Sequence, residues 1–358
     1  MKHIYPDYYE TFVCIADKCP KSCCGGWQIE IDEDTLQRYK EMDLSCVDYE
    51  NACFYTDPDK RCKNLDKSGL CRLILSYGED ILCDTCERFP RHIEEFRNVR
   101  EHSLSISCPE VARILLSRRE PVRLMETDDA QEDEESYDET EQAVYLHLAA
   151  SRERFLSIAQ NRTIPFEQRM DQILSIARAF QEEMDFVLLE NADPSSLDLS
   201  RILKEKSQMP PLSVDLRHRI FLTMKEWEYT GREFEDILKE TEEILYKRHR
   251  KDLFDALNDF TLYLSAQSVD WDVLSEQILV YFLYAYFCGS AYDEYYFGQA
   301  MLAVGAILHI QDLSLAFYLK TGAIHLSDII RLTYLYAREL EHSIPNVLAT
   351  EAYMDAFL

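Results

Sequence analysis

From Ala143 almost to its end the chain repeats apolar residues every three to four positions, the spacing that gives a helix one buried face. The pattern predicts helices over about 143–160, 165–190, 214–228, 231–248, 250–266, 270–288, 293–310 and 327–343. Asp270, Pro210–Pro211 and Pro345 mark boundaries. Ser327, a good N-capping residue, is expected to open the last helix, where Ile329, Leu332 and Tyr336 share a face. No internal repeat interrupts the series, so residues 143–358 read as an all-α domain.

The first 125 residues read differently. Pro6, Pro20, Gly25, Gly26, Pro58, Gly69 and Gly78 break any long periodicity. Short helices are expected at Asp32–Lys40 and Pro109–Ser117. A small strand is expected over Gly26–Ile31, where Trp27, Ile29 and Ile31 alternate with polar neighbours. Between the two parts, residues 126–142 hold ten acidic residues and no basic one. Charge of that density repels itself and reads as a linker or mobile loop. The expected fold is mainly α: a loop-rich, cysteine-bearing metal-binding domain over 1–125, then the all-α domain.

Composition narrows the function. The chain has 358 residues, a net charge of −28 and 47% hydrophobic residues, a globular mixture. So large an acid excess argues against a nucleic-acid binder and favours a cationic partner. The longest apolar run, Ile278–Phe287, falls short of the ~20 residues a membrane span needs. The opening MKHIYPDYYETF lacks the apolar core of a signal peptide, so a reducing, cytoplasmic setting is expected.

Eleven of the twelve cysteines lie before residue 110, with Cys288 the exception. In a reducing compartment such a cluster points to metal or catalytic chemistry rather than disulfides. The groups are Cys14-x4-Cys19-Pro-x2-Cys23-Cys24-Gly-Gly-Trp, Cys62-x8-Cys71, Cys83-x2-Cys86 and Ser107-Cys108-Pro109. Short spacings deliver paired thiolates with little loop-closure entropy, and distant groups then close the site. Cys83-x2-Cys86 suits zinc, whereas Cys19-Pro20 and Cys108-Pro109 are of the kind seen beside iron–sulfur clusters; both metals stay open.

Cys19-x3-Cys23-Cys24, Cys62-x8-Cys71 and Cys86-x2-Phe89-Pro90 resemble the widespread cysteine-cluster proteins of the zinc- or iron-chelating type. More closely, the chain resembles the flagellin lysine-N-methylase family. The resemblance is carried by Tyr5-Pro-Asp-Tyr, Cys-Cys-Gly-Gly-Trp, Gly69-Leu-Cys, Leu82-Cys-x2-Cys-x2-Phe-Pro-Arg, Ser103-Leu-Ser-Ile-Ser-Cys-Pro-Glu and the C-terminal box Tyr336-Ala-Arg-Glu-Leu-Glu-His-Ser. It implies transfer of methyl groups from S-adenosylmethionine to flagellin lysines in the cytoplasm. It also implies a metal centre, a 4Fe-4S cluster with zinc as the alternative, drawn from Cys19, Cys23, Cys24, Cys62, Cys71 and Cys86, then Cys83 and Cys108.

Such a transfer needs an acceptor for the lysine proton, because the amine attacks only when neutral. Glu339 and His342, i,i+3 neighbours in the box, are the candidates; a salt-bridge network at a helix end explains the same residues. The aromatic run from Tyr281 to Phe297 reads either as a packed core or as a cation-binding pocket. The competing functions are a metal-stabilised interaction module and a metal- or redox-handling protein exchanging ligands at Cys23–Cys24.

Overall fold

Lys2–Pro6, five residues with no room for a periodic signal, forms strand β1 and organises the first part of the chain. It pairs in parallel with β5 (Val99–Leu104) on one side and antiparallel with β6 (Leu124–Asp128) on the other. Before β5 come the short pair β2 (Val47–Asp48) and β3 (Cys53–Phe54), then β4 (Arg91–Phe96), which turns into β5 through Asn98 at φ +56°. The larger sheet therefore runs β4-β5-β1-β6. The computed structural model describes residues 1–130, 137–205 and 211–355.

The helices among the described residues are α1 (Glu33–Glu41), α2 (Arg72–Tyr77), α3 (Asp84–Arg88), α4 (Pro109–Leu116), α5 (Glu139–Ala159), α6 (Phe166–Leu189) and α7 (Leu199–Ile202). They continue with α8 (Val214–Leu222), α9 (Arg232–Glu242), α10 (Leu253–Ala266), α11 (Trp271–Ala285), α12 (Tyr296–Thr321), α13 (Leu326–Leu340) and α14 (Ile344–Asp355). The molecule is mainly helical with a loop-rich N-terminal part, as the periodicity predicts. Asp270 caps α11 by accepting from the amides of Asp272 and Val273.

Several expectations are corrected. Gly26–Ile31 is not a strand; within it Glu30 makes an isolated bridge with Cys53, and just before it Gly25 makes another with Arg61. The acidic stretch is structured at both ends. Glu126–Asp128 belongs to β6, and Asp138 caps α5, whose first turn takes Glu139 and Glu141 where acids complement the helix dipole. Residues 131–136 lie outside the described residues, as does Pro210. The N-cap of α13 is His325, not Ser327, in a capping box with Asp328. Pro345 lies within the first turn of α14 instead of ending structure.

Packing does not follow the composition break near residue 125. One core runs from Tyr8 and Phe12 through Leu104, Ile106 and Val111 to Leu335 and Leu340. A second, smaller core gathers Ile29, Ile31, Tyr39, Val47, Phe54, Leu73 and Ile81 with Cys62 and Cys83. The sheet is tied into the main core by Arg152, which pairs with Glu101 in the interior, and by Tyr145, which donates to Glu101 at 2.9 Å. By length and composition α12 could cross a membrane, but 89% of its apolar window is buried inside the fold, the pattern of a core helix.

Candidate active site

Several of the segments singled out by their sequence motifs meet at the end of α13. Glu341 is the C-cap of α13; its backbone stays helical (φ −68°, ψ −21°) and its amide donates to the Ala337 carbonyl, so its side chain, two positions on, leaves the helix on a different face from that of Glu339. Facing it is the loop from Ser105 to Ser107 between β5 and α4. Tyr281, midway along α11, holds that loop by accepting from the Ile106 amide at 3.2 Å.

Around Glu341 the polar groups converge. Tyr281 donates to Oε1 at 2.7 Å, the Ser105 hydroxyl donates to Oε2, and the Ser107 amide reaches Oε2 at 3.4 Å. Burial pushes the carboxyl up to about 7, opposed by the donors Ser105, Tyr281 and Ser107. The carboxyl opens on a cavity of about 380 Å³ whose walls include Phe89, Pro90, His92, Ser103, Tyr286 and His342.

His342 stands between two cavities. Its Nε2 lies 2.8 Å from the Ser107 hydroxyl, and its ring packs 4.0 Å from Trp27 and 5.8 Å from Phe89, centroid to centroid. Much of its surface is open to the cavities it lines. The surrounding protein, with the Arg338 charge, nevertheless pushes it down to about 4, so it is neutral at pH 7. On the Trp27 side the second cavity, about 570 Å³, is lined by Phe54, Tyr55, Tyr229, Asp48, Glu228 and Lys60 among others.

The structure separates the two candidates for the proton acceptor. Glu339 accepts from the amide and hydroxyl of Thr230, both at 2.6 Å, and is not among the residues lining either cavity. Nor do Arg338 and Glu341 form a helix-end pair. Arg338, 3% exposed, donates to the carbonyls of Ser22 and Gly25 and lies 4.2 Å from the Trp27 ring centroid. Gly26, at φ +102°, lets the Cys-Cys-Gly-Gly-Trp loop turn over it. Of the aromatic run, Tyr281 and Tyr286 line the first cavity, while Phe282, Tyr284, Phe287, Tyr296 and Phe297 are packed in the interior. Residue patterning did not single out Glu341, Ser105 or Ser107, although all three lie inside the quoted motifs and meet here.

All twelve cysteines are free thiols. Cys62 and Cys83 belong to the small core, with Cys24, Cys46, Cys71 and Cys86 packed against it. Cys108 lies in the main core, and Cys288 is buried there as well. Cys23 and Cys24 have their sulfurs 3.9 Å apart. The hydrogen bond from Cys23 brings Cys24 down to about 7, with Ser22, Arg338 and Arg61 assisting, and Cys23 keeps its proton. Among the described residues no group of three or more His, Cys, Asp or Glu side chains is spaced to hold an ion. The donor chemistry does fit a thiophilic centre. Reduced thiols recur through a lobe of little core, and the buried Arg338 Nη1 beside the Cys-Cys-Gly-Gly-Trp loop has no hydrogen-bond partner.

Residues 152–356 match the family profile described as the FliB lysine N-methylase C-terminal domain. The chain belongs to that family. Its matched region contains α13, Glu341 and His342. Among curated relatives, the flagellar biosynthetic protein FliU of Salmonella muenchen is 28% identical over 136 residues, 34% of this chain and 80% of the relative. The lysine-N-methylases of Salmonella typhimurium strain LT2 and Salmonella choleraesuis strain SC-B67 are each 27% identical over 136 residues, 34% of this chain and 34% of their own length. The match thus spans about a third of the lysine-N-methylases. No solved structure matches the chain.

Proposed function

We propose that this member of the FliB family is a protein-lysine N-methyltransferase acting on flagellin in the cytoplasm, and that the transfer takes place beside Glu341. The family membership and the names of the lysine-N-methylase relatives support the reaction class, and the FliU relative supports a flagellar substrate. The observation that carries the reading is a carboxyl with its pKa pushed up to about 7, held by Tyr281 and Ser105 and open to a cavity.

A lysine ammonium, with a pKa of about 10.4 in water, must lose its proton before it can attack. A base poised near neutral pH, in a site that disfavours the charged amine, suits that task. In this reading Glu341 takes the proton at Oε1 or Oε2, and Tyr281 and Ser105 hold the carboxylate in place. Phe89, Tyr286 and the imidazole of His342 line the lysine stem and limit water. His342 is neutral and, through Ser107, keeps the loop carrying Glu341's donors in register.

S-adenosylmethionine supplies an electrophilic methyl on a sulfonium when bound. The second cavity has features that suit it: the rings of Tyr55 and Tyr229 for a cation or a purine, and Asp48, Glu228 and Lys60 for the hydroxyls and the amino-acid end. The cysteine lobe is proposed to hold an iron–sulfur or zinc centre that fixes the Cys-Cys-Gly-Gly-Trp loop, and through it Trp27, against α13. Incubation of the chain with flagellin and methyl-labelled S-adenosylmethionine tests the proposal. Label on flagellin lysines is the expected result. Its absence, with a properly folded and metal-loaded chain, favours a metal-stabilised interaction module instead.

A further inference from the structure

Glu341 and His342, adjacent in sequence, are also joined through space by a line of hydroxyls. Ser105 donates to Glu341 Oε2, the Ser105 and Ser107 oxygens lie 2.5 Å apart, and Ser107 Oγ lies 2.8 Å from His342 Nε2. Ser107, in the middle of the line, is fully buried. Its amide is shared between Ser105 Oγ at 3.3 Å and Glu341 Oε2 at 3.4 Å, which fixes the loop in place. The bond to Ser107 uses Nε2, so Nδ1 is left to the cavities that His342 lines.

Counting hydrogens decides what this line can do. Three gaps separate its four groups, and each serine hydroxyl fills one gap because it has a single hydrogen. The third hydrogen comes from one end, either a protonated Oε2 or Nε2–H. With Glu341 charged, Ser105 donates to the carboxylate, Ser107 donates to Ser105, and Nε2–H donates to Ser107. With the proton on Oε2 all three bonds reverse, and His342 carries its hydrogen on Nδ1. Oε1 does not stand in for Oε2, because the Tyr281 hydroxyl accepts from the Ile106 amide and commits its own hydrogen to Oε1.

We infer that Ser105, Ser107 and His342 form a proton relay that carries the proton out of Glu341 through His342 while the substrate lysine still fills the first cavity. The inference deepens the reading of Glu341 as the base and rests on it. The lysine ammonium gives its proton to Oε2. The Oε2–H bond then breaks as Ser105 Oγ takes that proton, Ser105 passes its own hydrogen to Ser107, and Ser107 passes its own to Nε2. His342 releases its Nδ1 proton to water, which leaves a carboxylate, two hydroxyls and a neutral Nε2–H imidazole. Burial and the Arg338 charge disfavour the imidazolium, so the proton does not rest there. Before the next proton arrives the hydroxyls turn and His342 exchanges its tautomer through solvent. The other charged or titratable groups acting on the pair are Arg338 and His92, with Tyr8, Tyr281, Tyr286 and Tyr336 around the carboxyl. None of them hydrogen-bonds to Ser105, Ser107 or His342.

The test reads the histidine tautomer by heteronuclear NMR of the full chain labelled in its histidines, with the His342 signals assigned from His342→Gln. From about pH 9 down to about pH 5.5, His342 of the unaltered chain is expected to pass from the Nε2–H to the Nδ1–H form as Glu341 takes up its proton. Ser107→Ala cuts the line and abolishes that dependence. With flagellin and labelled S-adenosylmethionine, the same variant lowers kcat by about tenfold and leaves KM for flagellin within about twofold. A single tautomer throughout in the unaltered chain, a Ser107→Ala profile that still follows pH, or an unchanged kcat overturns the relay. A tautomer shift that Ser107→Ala abolishes, in a chain that does not methylate flagellin, supports the coupled line and sinks the methyl-transfer reading instead. If Ser107→Ala does not fold, Glu341→Gln decides: the His342 tautomer must then cease to depend on pH over that range, and a persisting shift overturns the relay.

Discussion

The hydroxyl of Tyr281 donates to Glu341 across 2.7 Å and accepts from the Ile106 amide at 3.2 Å, so one side chain of α11 positions both the carboxyl and the loop that faces it. Tyr281 holds the Glu341 pKa below the value burial alone gives. Tyr281→Phe is therefore expected to move the rising limb of the methylation rate to higher pH. It also leaves the Ile106 amide unpaired, at a cost of about 1–3 kcal/mol read from denaturant midpoints. An unshifted pH profile contradicts this role.

Glu341→Gln has a stability signature independent of activity. A carboxyl whose folded pKa is about 7, above its ordinary 4.5, contributes stability that is fully present below the unfolded pKa and lost as pH rises through the folded one. Melting temperatures of the variant and the unaltered chain should be most alike near pH 5. The variant should gain relative to the unaltered chain as pH climbs from about 5 to about 7, and the difference should level off above that. A gap independent of pH means the carboxyl does not hold its proton there.

His342 has the opposite sign. Its folded pKa, about 4, lies below the ordinary 6.5, so its contribution is present above the unfolded value and lost as pH falls through the folded one. The unaltered chain should lose more stability between about pH 7 and pH 4 than His342→Gln. Urea titrations at both pH values measure the difference.

Arg338 and Gly26 fix the Cys-Cys-Gly-Gly-Trp loop against α13. Lysine has no planar fork to reach two carbonyls while stacking on an indole, so Arg338→Lys should destabilise the chain by about 1.5–3 kcal/mol. Gly26→Ala forces a left-handed φ on a residue with a Cβ and should lose about 1–3 kcal/mol. Thermal unfolding followed by tryptophan fluorescence reports both.

How far residue patterning reaches depends on how local the determinant is. Helix α1 starts one residue after the expected position, and α4 opens at Pro109 as expected, because caps and apolar spacing lie within the segments themselves. Helix α12 runs on to Thr321 because the apolar pattern continues until Gly322 adopts the left-handed conformation at φ +76°. Strand β1 is specified by partners about a hundred residues away, Val99–Glu101 and Leu124–Asp128, which no local window contains. The same holds at the site. The box Arg338–Ser343 was legible as a motif, but helical spacing pointed to Glu339, whereas the glutamate of the box that lines a cavity is Glu341. Two positions apart on a helical backbone, Glu339 and Glu341 point about 200° apart, so Glu341 meets Ser105 and Tyr281 while Glu339 meets Thr230.

The most direct test of the account is the methylation rate of flagellin measured from about pH 5 to about pH 9 with the unaltered chain and with Glu341→Gln. The account predicts that the unaltered rate rises through about 7 and levels, and that the variant, with the same helical spectrum and metal content, is slower by about 100-fold or more at neutral pH without that step. A variant that methylates as fast, with the same pH profile, contradicts it.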